Sequence, residues 1–158
     1  MRAPSWRPSP KVRVLWAVNA ALMWIPPIVA QVVWVFVAPT GAAWHIAAAS
    51  ATVVLCGLHV AVVPAWRYRV HRWEMDDTAV CTRSGWWTQE DRIAPISRIQ
   101  TVDTERGPLD RRFGLTTVTV TTASTAGAVK IVGLDSGVAD EAVARLTALA
   151  AGIETDAT

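Results

Sequence analysis

The feature of this sequence that most restricts its fold is an almost uncharged apolar stretch, residues 12–63, in which Arg13 is the one charged residue. Apolar residues make up 52% of the 158-residue chain, and they are concentrated here. A soluble domain of this size does not need a continuous apolar block of such length, whereas a membrane-spanning segment requires one. The stretch therefore predicts a membrane protein.

Two segments within this stretch are long enough to cross a bilayer. As helices, residues 14–37 and 43–63 would be about 36 and 31 Å long, against a hydrocarbon core of about 30 Å. Residues 39–41, Pro-Thr-Gly, supply a turn between them. The proline pair at 26–27 predicts a kink or, as the alternative, a re-entrant segment, and Pro64 is expected to end the second helix. We predict a two-helix transmembrane hairpin over residues 14–66.

The charges on either side of this hairpin predict its orientation. Up to residue 72 the chain has seven basic residues and no acid, and the basic residues flank the hairpin while the turn has none. Positive flanks stay in the cytoplasm, which predicts a multi-pass protein of the plasma (inner) membrane with both termini cytoplasmic. The position of the basic residues beside the apolar segments favours anchoring to lipid. We do not predict nucleic-acid binding.

Arg67, Arg69 and Arg72 follow closely on the predicted membrane exit. We predict that they contact lipid headgroups, because each arginine near an anionic surface contributes about 1 kcal/mol of binding. The alternative is that they serve as topology anchors alone. Membrane lipid is therefore an expected partner, although a selective lipid site does not follow from three arginines.

Four polar residues interrupt the predicted spans: Asn19, Gln31, His45 and His59. A polar group at membrane depth needs a partner, and none of these positions offers the carboxylate of a proton relay. We therefore predict helix–helix packing, with Cys56 and His59 facing Gln31 or Asn19 across the hairpin.

The pattern after residue 72 changes to short alternating segments with turns between them. These predict strands at residues 70–75, 79–83, 86–93, 99–105, 115–122 and 129–134, and a turn at 107–109. Apolar residues then recur at helical spacing over 139–150. A helix that buries its apolar stripe against one end of a small barrel or sandwich explains this order.

Three stretches of this region are more specific. They read ISRIQTV at 96–102, GPLDRRFGL at 107–115 and VTVTTA at 118–123. In this order they resemble the bacterial pleckstrin-homology-like (PH-like) family of membrane proteins, and the resemblance runs from about residue 67 to 149. It implies an α+β membrane protein in which the hairpin precedes a cytoplasmic PH-like antiparallel β-barrel or sandwich with a C-terminal helix. It implies no reaction.

We accordingly divide the chain into four parts: a basic N-terminal segment (1–13), the hairpin (14–66), the PH-like domain (67–151) and a tail (152–158). The predicted function is that of a membrane-anchored, non-catalytic adaptor or assembly factor at the inner face of the membrane. The alternative is a lipid-binding or lipid-sensing membrane protein.

Two surface features are candidates for contact with a protein partner or a second copy. Trp86 and Trp87 follow a turn, and because adjacent strand residues face opposite ways, one ring is expected to be exposed. Arg106, Arg111 and Arg112 lie in a mixed-charge turn, and arginine is over-represented among interface anchors. The alternatives are two packing aromatic rings and a solvated loop with weak ion pairs.

The soluble half offers little for catalysis. His71 is its one histidine, and no catalytic triad, metal-ligand spacing or phosphate-binding glycine loop surrounds it. Cys56 and Cys81 are expected at membrane depth and in the cytosol, which argues against a disulfide. We predict no enzyme activity, no catalytic residue, no cofactor and no metal.

Overall fold

The computed structural model describes residues 4–85, 87–123 and 127–156, which form two compact units. One unit comprises residues 13–66. The other joins the described part of the N-terminal segment, up to residue 12, to the chain from residue 67 onward.

The first unit contains most of the apolar helices. The helices of the first apolar segment are α1 (Lys11–Leu22) and α2 (Ile25–Val37), and the second segment forms α3 (Ala42–Val70). Two stretches, of 27 and 29 residues, are long and apolar enough to cross a membrane by length and composition.

The prolines act differently from one another. The helix is interrupted between α1 and α2. The proline pair at 26–27 occupies the first turn of α2, where a backbone N–H would have no intrahelical acceptor, so the prolines cost no helical hydrogen bond. The prediction that Pro64 ends the second helix is wrong, because α3 continues through it to Val70. A proline costs a helix one backbone hydrogen bond, and in apolar surroundings the remaining bonds keep the helix continuous.

Polar side chains join the helices of this unit. The indole Nε1 of Trp24 donates to Nδ1 of His59 over 3.0 Å, and the amide of Gln31 donates to the hydroxyl of Thr52. Both bonds connect α3 to the preceding apolar segment, as predicted for helix packing. The partners differ from the predicted ones, because His59 bonds Trp24 rather than Gln31 or Asn19.

The second unit contains two antiparallel sheets of three strands each. The first sheet consists of β1 (Arg72–Met75), β2 (Ala79–Ser84) and β3 (Glu90–Pro95). After a 3-10 turn, the second sheet consists of β4 (Ile99–Glu105), β5 (Leu115–Thr122) and β6 (Val129–Asp135), with the short helix α4 (Pro108–Phe113) before β5. The helix α5 (Ser136–Asp156) ends the described chain. This architecture confirms the predicted order of strands and closing helix.

Two predicted strand starts are wrong. β1 begins at Arg72 rather than at residue 70, because α3 extends to Val70. β3 begins at Glu90 rather than at residue 86. The predicted turn at 107–109 is the start of α4, where the carboxylate of Asp110 accepts the backbone N–H of Gly107 over 2.9 Å.

The core of this unit lies between the two sheets and α5. Alternate strand residues and one face of α5 supply its buried side chains: Trp73, Met75, Val80, Ala94, Ile96, Val118, Val120, Val129, Ile131, Leu134, Ala139, Ala142 and Leu146. Leu146 is fully buried. The amphipathic helix therefore covers the sheets as its periodicity predicts.

Residues 5–12 of the N-terminal segment are part of the same unit. The backbones of Trp6 and Trp73 exchange two hydrogen bonds of 3.0 and 2.9 Å, so the segment pairs with the edge of β1. Ser9 N–H donates to the carbonyl of Gly133 over 2.8 Å, and Lys11 Nζ lies 2.8 Å from Asp135 Oδ1. The segment thus bonds both the first sheet and β6.

Candidate functional site

The three arginines at the predicted membrane exit do not act alike. Arg69 is exposed in the last turn of α3. Arg72 donates to the carbonyls of Tyr68 (3.4 Å) and His71 (3.1 Å), which satisfies backbone acceptors at the end of α3. Arg67, in contrast, lines a pocket of the second unit.

This pocket has a volume of about 440 Å³, within the range of about 300–1,000 Å³ that small-molecule sites occupy. Its polar lining comes from the end of α3, from β2 and β3 and from β6, where β6 packs against the first sheet. The side chains that give it its chemistry are Arg67, His71, Thr82, Ser84, Arg92 and Lys130, and Glu90 also lines it. We call it the cationic pocket, because its described lining has three cations and one carboxylate.

Among the described residues, Glu90 and Ala128 hold Arg92 of β3 in place. Its guanidinium lies 3.2 and 3.3 Å from Oε2 of Glu90 and donates to the carbonyl of Ala128 over 3.1 Å. The second bond ties β3 to the residue before β6. The geometry therefore orients the guanidinium, while Glu90 offsets part of its charge.

His71 lies at the junction of α3 and β1 and is 7% exposed. Its Nδ1 donates to the carbonyl of Arg67 over 2.8 Å, which fixes the orientation of the ring. Burial lowers the pKa of His71; the hydrogen bond opposes this effect, and the charge of Arg67 adds to it. The imidazole is accordingly neutral at neutral pH.

The residues predicted to contact a partner lie in separate parts of the second unit. Trp87, between β2 and β3, is 88% exposed, whereas Trp86 lies outside the described residues. Arg111 and Arg112 are exposed on α4. Arg106 forms an ion pair of 3.2 Å with Asp140 at the start of α5.

Sequence reasoning missed most of the cationic pocket. Arg92 and Lys130 are 38 positions apart on different sheets, and neither belongs to a recognisable motif. They approach the same pocket only because β6 packs on the first sheet, which is a tertiary contact. Among the described residues, no group of three or more His, Cys, Asp or Glu side chains is placed to hold a metal ion.

Comparison with known proteins gives one family and one relative. The family described as bacterial PH domain matches residues 14–150. The UPF0699 transmembrane protein YdbS of Bacillus subtilis (strain 168) is 36% identical over 66 residues, which is 42% of this chain. The match likewise spans 42% of the length of that relative. No solved structure matches the chain.

Proposed function

Because this chain belongs to the family of bacterial PH domains, we propose that it is a membrane-anchored, non-catalytic interaction module at the inner face of the plasma membrane. The two apolar stretches anchor it, as in a transmembrane relative. The PH-like domain then binds a protein partner, either a second copy of this chain or another protein. In this role it acts as an adaptor or assembly factor.

The exposure of Trp87 carries this proposal. An indole ring that is 88% exposed leaves a large apolar surface in water, and such rings are over-represented among the anchors of protein interfaces. Arg111 and Arg112 on α4 offer a second contact surface, whereas Arg106 is engaged with Asp140. The ring of Trp87 is therefore the first position to test.

Trp87→Ser is expected to remove the partner from the full-length protein purified in mild detergent, because the substitution deletes the anchoring ring. Mass spectrometry identifies a stoichiometric second protein, and light scattering of the eluted particle detects self-association. Val138→Ser is the matched control, since Val138 is also an exposed apolar residue, at 42%, but lies on α5. Equal partner retention by the wild type and Trp87→Ser would contradict the proposal.

The N-terminal segment supports the proposed topology. Residues 5–12 fold with the chain from residue 67 onward, which supports a topology with the two ends of the hairpin on one side of the membrane. The chain between them then crosses the membrane an even number of times, which two spans satisfy. The basic flanks make that shared side the cytoplasm.

Cysteine labelling tests this topology. In a background with Cys56 and Cys81 replaced, a membrane-impermeant maleimide should label Thr40→Cys in intact cells, because residue 40 lies in the turn between the spans. Thr101→Cys, at an exposed position of β4, should react only after the membrane is permeabilised. Labelling of Thr101→Cys in intact cells would overturn the topology.

The alternative function is lipid binding by Arg67, Arg69 and Arg72. From residue 73 onward the chain has 13 acids and eight bases, so this half is weakly repelled by an anionic leaflet. The anchor also already holds the domain at the membrane, so further affinity for the surface adds little localisation. Protein binding is therefore the preferred function.

A further inference from the structure

We propose that the membrane hairpin binds a neutral, single-chain lipid whose head group is a hydroxyl. The site is a cavity between α2 and α3, here called the hairpin cavity, with a volume of about 590 Å³. Its described lining lies within the unit formed by residues 13–66. The proposal is therefore independent of the adaptor role, which concerns the other unit.

The size of the hairpin cavity is the first argument. Its volume of about 590 Å³ is within the range of about 300–1,000 Å³ that small-molecule sites occupy. An α-helix with its side chains is about 10–12 Å across, so a space of this size holds only about one or two turns of a partner's helix. A single hydrocarbon chain is much slimmer and can lie in the cavity along its length.

The change in polarity along the cavity is the second argument. Near the turn that joins the spans, Nε2 of His45 lies 2.8 Å from the carbonyl of Ala38, and the ring of Trp34 packs on the imidazole with centroids 4.4 Å apart. The lining farthest from the turn, at Ile28 and Gly57, is apolar. A lipid in one leaflet has the same arrangement, because its head lies at the surface and its chain points to the middle of the bilayer.

Two hydrogen-bonding groups on α2 are the third argument. The amide nitrogen of Gln31 donates to the hydroxyl of Thr52, but Oε1 of Gln31 has no partner among the described residues. The indole N–H of Trp34 likewise has none in the described part of the chain. Both residues line the cavity, and they are neighbours on the helix surface because they are three positions apart. A polar group at membrane depth is costly without a partner, so this pair favours a ligand that supplies one donor and one acceptor.

The chemistry of the head group follows from this pair and from the absence of charge. A hydroxyl can donate to Oε1 of Gln31 and accept from the N–H of Trp34. The described lining contains no Lys, Arg, Asp or Glu, so a charged head group would lack a counter-ion in apolar surroundings. The cavity is therefore suited to a long-chain alcohol rather than to a fatty acid or a phospholipid.

Native mass spectrometry of the full-length protein released from phosphatidylcholine nanodiscs tests this site, with oleyl alcohol as the probe. Oleyl methyl ether is the matched ligand, because it has the same chain but lacks the O–H donor. We expect saturable binding of one alcohol per chain. The ether should bind about three- to tenfold more weakly, because it loses one neutral hydrogen bond. Equal binding of alcohol and ether by the wild type would overturn the proposal.

Variants of the two groups separate their roles. Gln31→Met removes the acceptor, so it should weaken binding of the alcohol and abolish the preference for the alcohol over the ether. Trp34→Phe removes the donor and should weaken both probes by about three- to tenfold, with the preference unchanged. Trp44→Phe is the matched control, because Trp44 is exposed on α3 and is not among the described lining residues, so it should change neither affinity. Wild-type binding of both probes by Trp34→Phe would contradict the proposal.

Ala49→Phe keeps the test interpretable if Gln31→Met disturbs the hairpin through its bond to Thr52. Ala49 lines the cavity, so a phenyl ring there should fill the space and abolish saturable binding of the alcohol. Ala47→Phe is its control, since Ala47 is exposed on α3 outside the described lining. Circular dichroism verifies that each variant is folded. Retention of the alcohol by Ala49→Phe, or equal losses in Ala49→Phe and Ala47→Phe, would overturn the proposal.

Discussion

Replacing Gly133 by alanine is expected to destabilise the PH-like domain by about 2–5 kcal/mol, through backbone strain and overpacking together. Gly133 has φ +74°, in the left-handed region that side chains rarely adopt. A Cβ built there would lie 2.8 Å from Cβ of Val12, which is fully buried. Because the carbonyl of Gly133 also accepts the N–H of Ser9, the substitution should release the N-terminal segment.

Chemical denaturation of the full-length protein measures the loss, and hydrogen exchange at the Trp6 and Ser9 amides reports the release. Gly137→Ala is the matched control, because no described atom lies within 4 Å of its added Cβ and its position in α5 favours alanine over glycine by about 0.5–1 kcal/mol. Val12→Ala should recover part of the loss in the Gly133→Ala background. Unchanged exchange at both amides would refute the close packing of the segment.

Leu146→Ala is expected to cost about 2–5 kcal/mol, because it removes a fully buried side chain from the core between α5 and the sheets and leaves a cavity. Near-ultraviolet circular dichroism during denaturation follows the aromatic rings of the domain, such as buried Trp73, and measures the loss.

Leu149→Ala provides the comparison on the same helix. Leu149 is only partly buried against the core, so its truncation should cost clearly less than that of Leu146. A silent Leu146→Ala, or equal losses at the two positions, would mean that the helix does not close the core as described.

The strands that could be predicted from sequence are those rich in β-branched residues and bounded by turn residues. β4 and β5 have the predicted bounds, residues 99–105 and 115–122, because valine, isoleucine and threonine are frequent in both and Gly107, Pro108 and Gly114 bound them. The predicted start of β3 at residue 86 is too early, because the tryptophans at 86–87 favour a strand by composition. Gly85, at φ +121°, begins the connection there instead, and β3 starts at Glu90.

The partners of distant residues could not be predicted. The N-terminal segment contains Pro8 and Pro10, which interrupt strand patterns, so its sequence predicts only a basic flank. Its bonds go to Trp73 and Gly133, and a single sequence has no periodicity that points to partners so far along the chain. The cationic pocket escaped prediction for the same reason, since Arg92 and Lys130 meet through sheet packing alone.

The bonding of the N-terminal segment also determines the order in which the protein is assembled during synthesis. Asp135, the partner of Lys11, is translated 124 residues after it, following α1, α2, α3 and five of the six described strands. The segment therefore cannot complete its bonds until β6 has been made. Contacts of such long sequence separation form slowly, because the loop between them must close first. Docking of the N-terminal segment onto β6 is consequently a late step of folding, and it is completed only after β6 has left the ribosome.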